Sequence, residues 1–203
     1  MIKKEDIKGI VKVGLILFAI TAISALILAV VNNVTAPVIA ANNAKKQAEA
    51  MQKVIPGAAG FSDENLAMKF LLSSDDSACK LSNISQIFEA KDSNGNTAGY
   101  AVMVNPNGYG GIISMVVGVS EDGTVTGVDI ISQSETAGLG ARCTEDGFKA
   151  QFTGKKANIT VAKGGNGDEN SIDAISSATI TSKAVTSGVN AAINAVEQLA
   201  EVK

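Results

Sequence analysis

Residues 111–131 read GIISMVVGVSEDGTVTGVDII. Two apolar runs flank Asp122-Gly123, a pair that favours a tight β-turn because glycine takes a positive φ without steric cost. In Val125-Thr126-Gly127-Val128-Asp129-Ile130 apolar and polar residues alternate, the period of two of a strand with one face in a core. The pattern predicts strands over 111–119 and 124–131. The preceding segment repeats it: 86–91 and 97–104 flank Asn94-Gly95, a second hairpin signal. Together these runs predict an antiparallel sheet with one buried face.

Toward the C-terminus the period changes. Val185, Val189, Ile193, Val196 and Ala200 recur at helical spacing, while Lys183, Asn190, Asn194 and Glu197 fall on other faces. A helix that packs on the sheet makes the domain α+β. The GGNGDEN run at 164–170 reads as a polar loop, and 58–84 carries no clear pattern.

Toward the N-terminus, Val13–Val31 reads VGLILFAITAISALILAVV, 19 residues without a charge. At about 1.5 Å per residue this spans a hydrocarbon core of about 30 Å. Lys3, Lys4, Lys8 and Lys12 against Glu5 and Asp6 leave the first 12 residues at +2, so the other 191 carry −5 of the total of −3. Positive charge before a span stays cytoplasmic, which places the rest of the chain outside. A cleaved signal peptide, with Val38-Ile39-Ala40 as its site, is the competing reading; its apolar region normally runs only about 7–15 residues. Pro37 offers the start of a second helix running to about Val54, with a thin stripe of Ala40, Ala44, Ala48, Met51 and Ile55 and an end at Pro56-Gly57. That helix either docks on a membrane partner or is a solvated spacer. The expected organisation is a cytoplasmic 1–12, a single transmembrane helix 13–31, a connecting helix 32–57 and an extracytoplasmic domain 58–203.

The 203 residues include no His and no Trp. That excludes a Ser-His-Asp triad and His-ligated haem, and most zinc chemistry with them. A mildly acidic chain with few aromatics gives no nucleic-acid surface. Cys79 and Cys143 would lie where a disulfide is permitted, and free buried thiols fit equally well. No CxxC is present.

The chemistry-bearing stretch is Asp173-Ala174-Ile175-Ser176-Ser177-Ala178-Thr179-Ile180-Thr181-Ser182. It opens the C-terminal helix, whose first-turn N–H groups lack intrahelical partners and whose dipole favours an anion. Five hydroxyls at such a place can hold a phosphate. Ser and Thr are also the ordinary N-caps, so the cluster alone supports either use.

This stretch resembles the D-x-x-[ST]-[GS]-A-T-x-T-S motif of covalent FMN-binding domains. In that family the threonine of the A-T pair carries FMN through a phosphoester that a separate flavin transferase makes from FAD. The resemblance implies covalent FMN on Thr179, with Ser176, Ser177, Ala178 and Thr181 around the phosphate. Asp173 then helps the transferase recognise the site, or is a helix N-terminal acid. Ser177 stands where the family most often has glycine.

Ser134-Glu135-Thr136-Ala137-Gly138-Leu139-Gly140-Ala141 resembles a second family element, E-T-P-G-L-G, with Ala137 for proline and Gln133 where the family often has histidine. It implies Glu135, Thr136, Gly138 and Leu139 at the flavin, the first two bonding the isoalloxazine edge. Gly108-Tyr109-Gly110-Gly111-Ile112 resembles a third; Tyr109 either stacks on the ring or is an ordinary sheet-edge tyrosine. Arg142, Lys163 and Lys183 are candidates to offset the phosphate charge.

The order of these features is similar to that of the G subunits of Rnf electron-transport complexes, relatives of the C subunits of the sodium-translocating NADH:quinone reductases. The resemblance implies an electron relay within an ion-translocating ferredoxin:NAD oxidoreductase, with membrane and iron–sulfur subunits as partners. A subunit of the quinone-reductase type and a non-redox, membrane-anchored binding module remain the alternatives.

Overall fold

The computed structural model describes residues 4–62, 64–66, 83–156, 158–162, 164 and 168–201. Cys79, Lys163 and residues 165–167 of the GGNGDEN run lie outside the described residues.

The first element is one helix, α1 (Lys4–Val54), with Pro37 inside it. The expected second helix beginning at Pro37 is therefore not formed. Proline already has a helical φ and costs the helix one N–H bond, which the surrounding turns outlast. By its contacts the chain divides into two units, 1–45 and 46–203, rather than at 57/58.

In the first unit the large apolar side chains from Val13 to Ile39 are 51–70% exposed. The hydroxyl of Thr21 is donated back to the carbonyls of Leu17 and Phe18 at 3.0 Å, so it presents no unmet polar group to an apolar medium. The helix is long and apolar enough to cross a membrane once.

In the second unit β1 (Gly60–Phe61), β2 (Ile84–Lys91), β3 (Thr97–Val104), β4 (Ser114–Val119) and β5 (Val125–Ser132) form a five-stranded antiparallel sheet in chain order. The two hairpin turns are five-residue loops, not two-residue ones. In the first, the Asp92 carboxylate accepts the N–H groups of Asn94 and Asn96, at 2.8 and 2.9 Å, and Gly95 has φ +85°. In the second, 120–124, the Asp122 carboxylate accepts the hydroxyls of Ser120 and Thr124, at 2.6 and 2.9 Å, and Gly123 has φ +78°. The glycine supplies the left-handed residue that such a loop needs.

After β5 come a 3₁₀ turn (Gly140–Thr144), a short helix α2 (Asp146–Lys149), a second 3₁₀ turn (Ala150–Phe152) and a parallel pair, β6 (Thr160–Ala162) with β7 (Ser171–Asp173). The last element is helix α3 (Thr179–Glu201). Its Val185, Val189, Ile193 and Val196 pack with Val102, Val104, Met115 and Val117 of the sheet in the larger core. Leu199 is buried at the end of this face, and Ala200 is exposed. Asn190 uses its side-chain amide as a substitute strand: its Oδ1 accepts the Ile159 N–H and its Nδ2 donates to the Ile159 carbonyl, both at 2.9 Å.

The sheet has two covered faces, where the alternation predicts one. Ala50, Met51, Val54 and Ile55, at the end of α1, pack with Ala101, Met103 and Val116 on the side away from α3. Ala40, Ala44 and Ala48 of the expected stripe are exposed. The close approach depends on Gly118 and Gly127, which face each other across β4 and β5. A Cβ on Gly118 would overlap the Val54 carbonyl oxygen, and one on Gly127 would lie 3.1 Å from Val54 Cα. That carbonyl, unpaired at the helix end, accepts the Thr126 hydroxyl at 2.6 Å.

Candidate functional site

The three singled-out sequence elements meet around one cavity of about 470 Å³. Tyr109 comes from the loop before β4, and Glu135, Thr136, Leu139 and Gly140 from the turn after β5. Ser177, Ala178, Thr179, Ile180 and Thr181 come from the start of α3. That size lies within the range of small-molecule sites, about 300–1,000 Å³.

The structure sorts the five hydroxyls. Ser182 is fully buried; its Oγ accepts the Ile175 N–H at 2.9 Å and donates to the Ala178 carbonyl at 3.0 Å, which locks the chain into the helix. Thr181 is 1% exposed and donates its hydroxyl to Glu135 Oε2 at 2.6 Å. It is thus spent inside the protein rather than offered to a phosphate. Ser176 lines a different depression, with Arg142, Gln151 and Asp173. Ser177 and Thr179 are left as the cluster's hydroxyls on the cavity.

Ser177 has φ +62°, one of two non-glycine residues described in the left-handed region. The backbone reverses there to launch α3 with Thr179 as its first residue. A residue with a Cβ at such a φ costs about 1–2 kcal/mol, the physical reason a glycine suits this place.

Glu135 does not present its carboxylate as a free hydrogen-bonding edge. It is 9% exposed; Oε1 accepts the Gly110 N–H at 2.9 Å and Oε2 accepts Thr181. Its own N–H is taken by the side chain of Gln133, the residue at the family's histidine position. Gly138 makes the turn, at φ +76°, and is not on the cavity wall. The Thr136 carbonyl accepts the N–H groups of Leu139 and Ala141, which leaves the Thr136 side chain on the cavity. Tyr109, Leu139 and Ile180 give the mouth an apolar rim, 73, 41 and 55% exposed.

Asp173 lies in β7, six residues before α3, and so takes no part in the helix dipole. Arg142 turns to Glu145, at 3.1 Å, and lines the depression beside Ser176 rather than the cavity; this pairing raises its pKa. Lys183 borders a third groove, with Asn158 and Asn190. Cys143 is a free, fully buried thiol whose pKa is pushed up to about 11, by burial first and then by the charge of Glu135. Among the described residues no cluster of acids and cysteines can hold a metal.

The sequence matches the FMN-binding domain family over residues 108–194, which includes all three elements, and the RnfG N-terminal region over residues 1–54. The chain is 40% identical to the G subunit of the Na(+)-translocating ferredoxin:NAD(+) oxidoreductase complex of Acetobacterium woodii, over 97% of this chain and 96% of that protein. The chain belongs to the RnfG family. Within that family it is also 36% identical to the G subunit of the proton-translocating ferredoxin:NAD(+) oxidoreductase complex of Clostridium ljungdahlii, over 97% and 96%. Its fold matches that of Shewanella oneidensis NqrC, with a TM-score of 0.57 at 18% identity over 79% of this chain and all of that one. The C subunit of the Na(+)-translocating NADH-quinone reductase of Parabacteroides distasonis gives 0.56 at 24%, over 77% and 92%. The α+β sheet with an apolar N-terminal helix is thus the fold expected from the sequence.

The residues fit an FMN. Two hydroxyls and the first turn of α3 suit a phosphate, and the aromatic and aliphatic rim suits a flat apolar ring system. Sequence reasoning missed Ile180 on the wall of the cavity and Gln133 as the partner of Glu135. The first was legible as the apolar residue between the two threonines of the cluster, and the second had no local signal.

Proposed function

We propose that this chain is the FMN-carrying electron-transfer subunit of an ion-translocating ferredoxin:NAD oxidoreductase complex. The reading rests on full-length similarity to subunits of that name, and on the convergence of the three flavin-family elements on one cavity. A bound flavin supplies one- and two-electron chemistry; the residues here hold and screen it. Thr179, facing the cavity from the first turn of α3, takes the FMN in a phosphoester. The Ser177 hydroxyl and the first-turn N–H groups hold the phosphate beside Ala178, and the helix dipole offsets part of its charge. Tyr109, Thr136 and Leu139 border the ring.

Residues 1–12 remain cytoplasmic, the 13–31 segment anchors the chain, and the domain lies outside, where a tether keeps FMN from being lost. Partners are the complex's other membrane and iron–sulfur subunits, and a flavin transferase during maturation. Asp173 and Ser176, which line one depression separate from the cavity, are where that transferase grips the chain. The full-length match is to G subunits; the C subunit of the Haemophilus ducreyi quinone reductase aligns over 49% of this chain.

Co-expression with a flavin transferase should give a membrane-bound band that fluoresces on a denaturing gel. A dark band at full expression would favour the non-redox anchored module instead.

A further inference from the structure

Glu135 is a buried carboxylate whose partners among the described residues are all neutral. Gly110 N–H and Thr181 O–H occupy its two oxygens. The described ion pairs do not include it. Its space is reserved by backbone: a Cβ on Gly108 would overlap Oε1, and a Cβ on Gly140 would overlap Oε2 and lie 2.6 Å from Thr181 Oγ1. One carboxylate therefore joins the Tyr109 loop, the turn after β5 and the first turn of α3, the three pieces of the cavity wall. Its charge is felt nearby, since it helps to raise the pKa of Cys143.

We propose that Glu135 is a positioning residue that also holds the flavin's reduction potential down. The inference rests on the FMN reading above. Reducing a flavin by two electrons and one proton adds one negative charge. A fixed negative charge on the cavity wall opposes that addition, and neutral hydrogen-bond donors only soften it. Two unit charges about 10 Å apart, at an effective dielectric of about 20, shift an equilibrium roughly tenfold.

The test uses the full-length chain, loaded by a flavin transferase and purified in detergent. Glu135→Gln keeps the shape: its oxygen accepts the Gly110 N–H and its amide donates to the Thr181 hydroxyl. Flavin loading should equal the wild type, and the reduced-to-oxidised ratio at a fixed potential should rise about tenfold, or about 30 mV for a two-electron couple. Thr181→Val keeps the charge, removes one donor and should move the ratio the other way. A loaded Glu135→Gln protein with a ratio within twofold of wild type overturns the proposal. Should that variant fail to fold, a Thr181→Val ratio that is unchanged or raised overturns it. A wild-type chain without flavin fails earlier and differently, at the FMN reading itself.

Discussion

Gly140→Ala tests the cavity wall where it is tightest. The new methyl would overlap Glu135 Oε2, lie 2.6 Å from Thr181 Oγ1 and 2.9 Å from Glu135 Cβ. Neither neighbour can retreat, because Thr181 is 1% and Glu135 9% exposed and the two are bonded to each other. Overpacking costs about 1–3 kcal/mol, and losing a hydrogen bond to a charged group about 1.5–3 kcal/mol. The sum, about 2.5–6 kcal/mol, should lower Tm by roughly 5–24 °C for a domain of this size. The check is thermal unfolding of the solubilised chain by circular dichroism, with gel fluorescence as a second readout, which should fall as the wall distorts. Gly57→Ala, where a Cβ meets nothing within 4 Å, is the control and should leave both unchanged. A Gly140→Ala protein with wild-type Tm and wild-type fluorescence would refute the packing argument.

The parts of the fold with a strong period were legible in the sequence. Alternation around Val125–Ile130 and the spacing of Val185, Val189, Ile193 and Val196 correspond to β5 and α3 because each buries one continuous apolar face. The second covered face was not legible. Gly118 and Gly127 read as weak points in strands, yet they are the seat for the Val54 backbone, and only the partner helix gives them meaning. Pro37 looked like a start because local rules weigh a proline more heavily than the long helix that continues through it. The three-residue β6 and β7 are too short to show a period. At the site, the three elements were visible but their division of labour was not. Thr181 and Glu135 look like ligands in one dimension and turn out to satisfy each other.

Three further outcomes follow from particular contacts. Ser177→Gly relieves a left-handed serine; the gain of about 1–2 kcal/mol is partly offset by glycine's extra unfolded-state entropy of about 0.5–1 kcal/mol. Chemical denaturation should show a net stabilisation of about 0.5–1 kcal/mol, while Ser177→Val should destabilise and reduce flavin loading. In a Cys79→Ser background, Cys143 should resist iodoacetamide at pH 8 until the chain is unfolded, because its thiol pKa is about 11. The folded state keeps this proton where the unfolded thiol, near 9, loses it, so stability should fall as pH rises from about 9 to 11 and be fully present below that window. Gly118→Ala, which places a methyl on the Val54 carbonyl, should free the end of α1 and speed proteolysis at 46–57, and Thr126→Val should do so more weakly, by about 1 kcal/mol.

The central claim is that a single hydroxyl of the Ser/Thr cluster carries the cofactor. Trypsin cuts after Lys163 and Lys183, so the whole cluster falls in one peptide, 164–183. Tandem mass spectrometry of that peptide from flavin-loaded membranes should find the mass of FMN less water on Thr179, and Thr179→Ala should return the peptide to its unmodified mass. The same mass on Ser177, its persistence in Thr179→Ala, or an unmodified wild-type peptide from a strain with an active flavin transferase would contradict the account.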